Sequence, residues 1–375
     1  MLRRIVAASL LLGASTAALA AEPVRDCPLA ATPLGIESPL SDVLMHPGGR
    51  PALESVAPDL VSGFTRAFGG GGLPPGFANI LTPGVLLDSR PDGAMLRPVL
   101  SAKLAALPIT DAFTLARCAR YDHERPVLPA RDGRRQMLVF EKINGFRDNP
   151  SVDGARARLT AIAKKRGWQI VFTDRGGVMN AADLARFDVV VWNNVSGDAL
   201  TTPQRAAFRA YVEQGGGFAG IHGSGGDPRW FWDWYVDTLI GARFIGHPGK
   251  PQFQTATVRL VDGRSGIGAG VAEHWPLLEE WYSFDRNPVD GGAVAVATID
   301  EQDYKQIGYR DENLAMGYHP IAWRKFVGDG RMFYTAIGHR PENYDEPQAA
   351  ALLANGIAWA MRNRATGPKG KHDHD

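Results

Sequence analysis

The stretch EQGGGFAGIHGSGGDP, from Glu213 to Pro228, sets a single histidine in a glycine-rich turn at the end of a short apolar run. Gly220 stands two positions before His222 and Ser224 two after. A sharp strand-to-helix turn that exposes one side chain needs small neighbours on both sides, because the backbone crowds there. An imidazole in that place suits general acid–base work, since its charge changes near neutral pH. Ser224 is a rival occupant, but His222 would then stand where the turn needs a small residue. The alternative for His222 is a structural role, bonding backbone within the turn.

Other residues could join it. His339, in MFYTAIGHRPEN, follows one apolar run and precedes a helical pattern. His319 in GYHPIAW and His247 in IGHP are loop histidines beside proline, each read either as a ligand contact or as a turn stabiliser. Glu279 and Glu280 precede Trp281 and Tyr282. A carboxyl beside aromatics has a raised pKa and can serve as acid or base, and the same rings can stack on sugars. The alternative is an edge strand with a solvated pair, where alternation turns one glutamate outward; Glu280 is the candidate. PRWFWDWYV reads as the start of a helix, Trp230–Ile240, with Trp230 and Trp234 on one apolar face. His123 and His274 read as solvent-facing.

No His-x₃-His pair is present, so no local motif supports a metal, and no cofactor is expected. A divalent metal held by His222, His247, His319 and His339 across separate loops remains an alternative. GGGFAG follows a helix and GIGAG is a loop, so a nucleotide cofactor is not supported either.

These residues must be positioned by the elements around them. QMLVF reads as a buried strand, SVDGARARLTAIAKKRG as a helix stopped by Gly167, and WQIVFT as a strand. NAADLARF is a short helix, DVVVWN a strand, TTPQRAAFRAYVEQGGG a helix with Pro203 near its start, and FAGIH a strand. Strands alternating with helices imply a parallel sheet with helices on its faces, with ligands at the carboxyl ends of its strands. Further on, TATVRLV, GAVAVAT, IAWRKFV and RMFYTAI read as strands extending or flanking that sheet, the last two joined by a hairpin turn at VGDGR. EPQAAALLANGIAWAMR is the final helix.

The chain has 375 residues, 45% hydrophobic and 22% charged, with a formal net charge of +1. That is ordinary for a soluble globular protein and offers no basic face for nucleic acid or an acidic membrane. Residues 1–20 read as a cleaved signal peptide, with Arg3 and Arg4, a short apolar run and Ala18-Leu19-Ala20. The expected location is therefore periplasmic or secreted, with no membrane partner after cleavage. The two cysteines, Cys27 and Cys118, are then a plausible disulfide. Residues 21–134 are rich in Pro and Gly, with GGGGLPPG at 69–76. They read as a small, loop-rich N-terminal region with helices at Met95–Leu107 and Ala112–Arg120. His123–Arg135 has the composition of a linker. Residues 365–375 form a polar tail, expected to be disordered, that carries His372 and His374.

From Met137 to about Arg362 the chain resembles the ThuA-like (trehalose-utilisation) family, related in fold to class I glutamine amidotransferases. The matching stretches are FEKINGFR, FDVVVWNNVSGDALTTPQRAAFRAYVEQGGGFAGIH, IGHP, EEWYSFDRNP, YHPIAWRK, GRMFYTAIGHRPENYDEP and LLANGIAWA. The resemblance implies an α/β fold, a flavodoxin-like three-layer domain with a parallel sheet core at residues 135–364. It also implies a link to sugars or modified sugars. Asn144, in the first stretch, joins the candidate ligand contacts. The chain departs from the family pattern at Asp148, where a histidine is usual, and at GSGGD after His222, where Asp227 can supply the acidic group. The amidotransferase likeness further suggests that His339, in a His-x-Pro turn before the last helix, is catalytic. With no cysteine at the elbow, glutamine amidotransferase chemistry is lost.

The resulting expectation is an exported protein that acts on a small carbohydrate, a sugar or a modified sugar such as a keto-sugar, by hydrolase, lyase or isomerase chemistry. His222 and His339 share the acid–base work with Glu280. Asp227, His319, His247, Trp281, Tyr282 and Asn144 bind the substrate. The alternatives are a non-catalytic carbohydrate-binding or scaffold protein, and a metal-dependent sugar hydrolase or isomerase.

Overall fold

The computed structural model describes residues 22–62 and 75–361. The stretch expected to be a signal peptide, most of the GGGGLPPG run and the stretch expected to be a polar tail lie outside the described residues. No helix among those described is long and apolar enough to cross a membrane.

The larger part of the chain is mixed α/β, built on one nine-stranded sheet. Its strands are β1 (Gln136–Phe140), β2 (Gln169–Thr173), β3 (Val189–Asn193), β4 (Gly217–Ile221), β6 (Gln254–Leu260), β7 (His274–Glu279), β9 (Val294–Ile299), β10 (His319–Val327) and β11 (Gly330–Thr335). A two-stranded piece pairs β5 (Phe244–Gly246) with β8 (Ser283–Phe284). The sheet order is β2-β1-β3-β4-β11-β10-β9-β6-β7. The first five in that order are mutually parallel, and the remaining four are added antiparallel. β1, β3 and β4 are buried at every residue, as expected of parallel strands covered on both faces.

Among the described residues, six helices of the amino-terminal part precede these strands: α1 (Leu40–Met45), α2 (Gly49–Val56), α3 (Pro75–Ile80), α4 (Pro83–Asp88), α5 (Gly93–Ala105) and α6 (Asp111–Cys118). Between the strands lie α7 (Asn149–Arg166), α8 (Ala181–Leu184) and α9 (Thr202–Glu213), and α10 (Pro347–Ala360) closes the described chain. Gly167 ends α7 in the left-handed conformation at φ 68°, which a residue without Cβ adopts at little cost. Pro203 lies in the first turn of α9, whose N-cap Thr201 and Gln204 form a capping box.

Side chains alternate across the sheet, and β11 shows how both faces are covered. Phe333 lies against α10, so closely that a Cβ at Gly356 would stand 2.3 Å from its ring. Tyr334 points the other way, its ring 4.6 Å from that of Trp323. On that second face Trp192 of β3 stacks on Phe208 of α9 at 5.5 Å and on Tyr235 at 4.6 Å.

The region around Trp230 differs from a regular helix. Residues 230–232 are irregular and Trp234–Ile240 is a π-helix. Trp230 packs on Trp192 and Tyr235, while Trp232 pairs with Trp234 at 5.1 Å. The bulky rings each need a separate place in the cluster, which the i,i+4 face of an α-helix does not provide; Trp230 and Trp234 therefore do not form one.

The amino-terminal region is also more regular than its composition suggests. Its helices are short, so no long periodicity marks them, yet Leu34, Leu40, Val43, Leu53, Leu87, Leu100 and Leu104 close a hydrophobic cluster of their own. Cys27 and Cys118 are joined by a disulfide. Buried Asp42 receives both Arg117 and Arg120. The stretch from His123 to Arg135 has no helix or strand but is pinned: Gly177 N–H donates to the Glu124 carbonyl, and Arg125 makes a two-pronged ion pair with Asp183.

Candidate active site

Three chain segments meet at the carboxyl ends of the parallel strands. His222 follows β4 directly, His339 lies four residues past β11, and Glu280 follows β7. The φ of His222 is +38°, a left-handed backbone that a side-chain-bearing residue adopts only when its surroundings hold it there. Several buried groups do so. The Tyr334 hydroxyl donates to the His222 carbonyl at 2.8 Å, and the Tyr235 hydroxyl donates to the Ser224 carbonyl at 2.5 Å. Gly223 N–H donates to the Asn194 side chain at 3.2 Å. Burial pushes both phenols well above the ordinary tyrosine range, which keeps them protonated as donors. The following glycines are required by close approach: a Cβ at Gly226 would stand 2.5 Å from the Tyr282 ring. Ser224, the rival occupant of the turn, donates to the Trp192 carbonyl and accepts from Val195 N–H, so its hydroxyl braces the elbow.

Glu280 is the centre of the arrangement. Its Oε2 lies 2.8 Å from His339 Nδ1 and 3.3 Å from His222 Nε2, and those two nitrogens are 3.2 Å apart. Its Oε1 lies 3.2 Å from His247 Nε2 and accepts from the Gln252 amide. The Glu280 side chain is only 2% exposed. Burial alone would raise its pKa, but the imidazoles of His222, His339 and His247 around it outweigh that and hold the carboxyl well below its usual range. Burial likewise disfavours the charged form of His339, yet the bond to Glu280 prevails and its pKa is raised.

Hydrogen bonding assigns one tautomer. His222 Nδ1 is 2.7 Å from the Ala336 carbonyl, which can only accept, so the proton of neutral His222 sits on Nδ1 and Nε2 is free. The ring lies stacked on Tyr282, centroids 4.1 Å apart. His339 is part-exposed, with Phe253 edge-on at 5.1 Å. Asp148, the residue that departs from the family pattern, lies with its carboxylate 3.8 Å from His339 Nε2. Tyr309, 54% exposed, meets His247 edge-on at 5.4 Å.

The structure thus brings His222, His247, Glu280, Tyr282 and His339 together. The other candidates serve elsewhere. Trp281 is fully buried and donates its indole N–H to the Gln254 carbonyl, so no face is offered to a sugar. His319 is buried too; its Nε2 donates to the Tyr282 carbonyl and its Nδ1 faces Glu301 and Tyr304. It holds Tyr282, which in turn supports His222. Asp227 accepts from Ser196 Oγ and Gly197 N–H, clamping the loop after β3. Burial pushes its pKa up to about 7. Asn144 donates to the carbonyls of Arg120 and Asp198, and its own carbonyl accepts from Asn79 of α3. It joins the amino-terminal helices to the loop that ends in Asp148.

The pair Glu279–Glu280 is not solvated on either side. β7 is an edge strand with strictly alternating burial, but it stops at Glu279, and the chain turns inward at the next residue. Glu279 accepts from Glu280 N–H, Gly338 N–H and Asn343 Nδ2. Burial raises its pKa, so two adjacent carboxyls are driven in opposite directions. Of the glutamate pair the sequence reading chooses Glu280 alone, and Gln252, Phe253 and Tyr309 carry no sequence signal. The inward turn after β7, the loop before β6 and the loop between β9 and β10 bring them to the site, and none has a local signature.

Residues 136–360 match the family model described as ThuA, trehalose utilisation. No match was found among curated proteins. A crystal structure of a putative ThuA-like protein from Bacteroides uniformis superposes with a TM-score of 0.53 at 21% identity, covering 63% of this chain and 95% of that one. A putative ThuA-like protein from Parabacteroides merdae gives a TM-score of 0.44 at 16% identity, covering 63% and 94%. The first likeness shows the shared fold.

Proposed function

The chain belongs to the ThuA, trehalose-utilisation, family, and from that premise we propose that it is an enzyme that moves protons on a sugar or an oxidised, keto-sugar. The observation that carries this reading is the buried Glu280 carboxylate with three imidazoles around it, at an elbow held in left-handed backbone. A solely structural histidine does not need such an arrangement, and strain of this kind clusters at functional sites.

The roles follow from the protonation pattern. His339 holds its proton more firmly than an ordinary imidazole and reaches solvent, which suits it as the acid that meets the substrate. His222 Nε2 is free and suits a base. Glu280 stays ionised and orients the His339 ring through Nδ1. Glycoside hydrolysis usually employs two carboxyls, one of them protonated. Here imidazoles stand in the reactive places, which favours abstraction of a proton beside a carbonyl, as in lyase or isomerase chemistry. The exposed Tyr309 and part-exposed Phe253 at the rim offer ring faces or edges for a sugar. The Cys27–Cys118 disulfide supports a setting outside the cytoplasm, in the periplasm or secreted.

The test is to incubate the protein with mono- and disaccharides and their 3-keto derivatives in deuterated water, following exchange or cleavage by NMR. Conversion by the native chain and its loss in His339→Ala, with the sugar still bound, is the expected result. Binding without exchange or cleavage across the panel would leave a carbohydrate-binding protein and refute the enzyme reading.

A further inference from the structure

We propose that the His222–Glu280–His339 cluster is the ligand set of a divalent transition-metal ion. The inference rests on the reading above that this cluster is the reactive centre, and it changes what lies at its middle.

His222 Nδ1 gives its hydrogen to the Ala336 carbonyl, so His222 Nε2 presents a lone pair. Glu280 Oε2 presents lone pairs. His339 Nδ1 can bring one hydrogen to the group. These atoms stand 2.8, 3.2 and 3.3 Å apart in pairs. One hydrogen on His339 serves its own contacts, but it leaves His222 Nε2 and Glu280 Oε2 facing each other as two acceptors. A second proton relieves that only by charging a buried imidazole. A cation satisfies all three lone pairs at once.

The spacing fits. Two ligand atoms each about 2.1 Å from one ion at a tetrahedral angle are about 3.4 Å apart. The ligand atoms of these three residues all lie within 4.8 Å of one another. Two nitrogens and one oxygen suit a borderline ion such as zinc or another first-row divalent metal, rather than calcium or magnesium. Three protein ligands with a position left over is the pattern of catalytic rather than structural sites. The part-exposed side is that of His339, where a substrate oxygen can enter.

The surroundings are those of metal ligands as well. The ring of His222 is fixed by a backbone carbonyl through its other nitrogen, and the other nitrogen of His339 faces the Asp148 carboxylate at 3.8 Å. Such partners behind the ligands fix ring orientation and tune the ion. Glu280 is fixed through Oε1 by Gln252 and His247.

The test uses the full chain, stripped with a chelator, dialysed, and titrated with Zn²⁺ by calorimetry and with Co²⁺ by visible absorption. One ion per chain is expected, with cobalt bands of a low-coordinate nitrogen–oxygen site. His339→Ala, at a part-exposed position, and Glu280→Gln should each weaken Zn²⁺ binding at least about tenfold. His274→Ala, at the exposed start of β7, should leave it unchanged. Absence of stoichiometric Zn²⁺ binding, or undiminished binding in His339→Ala, would overturn the inference. If sugar conversion persists at full rate in the stripped protein, the ion takes no part in the reaction while the acid–base reading stands. If the ion binds and no sugar is converted, the reverse holds.

Discussion

Nδ1 of His339 stands 2.8 Å from Oε2 of Glu280, although 59 residues separate them in the chain. The contact is made because β7 ends one residue before Glu280, and the loop after β11 returns to the same point. Gly338 permits that return: its φ is +144°, and a Cβ there would press on the Tyr344 hydroxyl at 2.6 Å. Its N–H is taken by Glu279, so the neighbouring glutamate places the loop while Glu280 holds the imidazole. Glu280→Gln keeps the shape and removes the charge. Turnover should fall by about 10²–10⁴-fold, the usual worth of general acid–base catalysis, with the fold retained. Steady-state rates together with circular dichroism measure both.

That relationship also marks what could be read in the sequence. The elbow at His222 was legible because small residues flank it within five positions, and the alternation of strands and helices up to β4 was legible from periodicity. The convergence on Glu280 was not. It depends on where an edge strand stops and on four antiparallel strands joining a parallel set, which are long-range pairings without a local pattern. Trp281 and Asp227 have the right chemistry for ligand contacts but are buried by tertiary packing. The short helices around Leu40 and Leu87 escaped because six to eight residues are too few to show a helical period.

Asp227 gives a pH prediction of definite sign. Its pKa is raised from 3.8 to about 7 in the folded chain by burial. The folded state therefore binds this proton more tightly than the unfolded state, and stability falls as pH rises from about 4 to about 7. The charged form at neutral pH costs on the order of 4 kcal/mol. Asp227→Asn removes the titrating group, so its urea midpoint should fall less than that of the native chain between pH 5 and pH 8. Parallel slopes for the two proteins would refute the assignment.

The disulfide spans 91 positions. In the chain-entropy model a loop of that length stabilises by about 4–5 kcal/mol. Cys27→Ser with Cys118→Ser should lower the stability of the amino-terminal helices by that order. Limited proteolysis should then cut within residues 22–120 before it cuts the sheet. Equal cleavage rates in the presence and absence of the bond would contradict this.

Asp42 is fully buried and answers two arginines, Arg117 and Arg120. Removing one member of a buried ionic group leaves the others uncompensated, at about 3–5 kcal/mol. Asp42→Ala should cost that much. Because Arg120 also bonds Asn79, which reaches Asn144, the change should loosen the contact between α3 and the loop leading to Asp148. Hydrogen exchange at residues 144–148 reads that effect directly.

The central claim is that the Glu280 cluster performs chemistry on a sugar. The most direct measurement is NMR of the native chain and of His339→Ala with the panel of sugars and 3-keto-sugars in deuterated water. The account predicts that the native chain exchanges or cleaves at least one of them, and that His339→Ala binds it but converts it at least about a hundredfold more slowly. Equal conversion by the two proteins would contradict it.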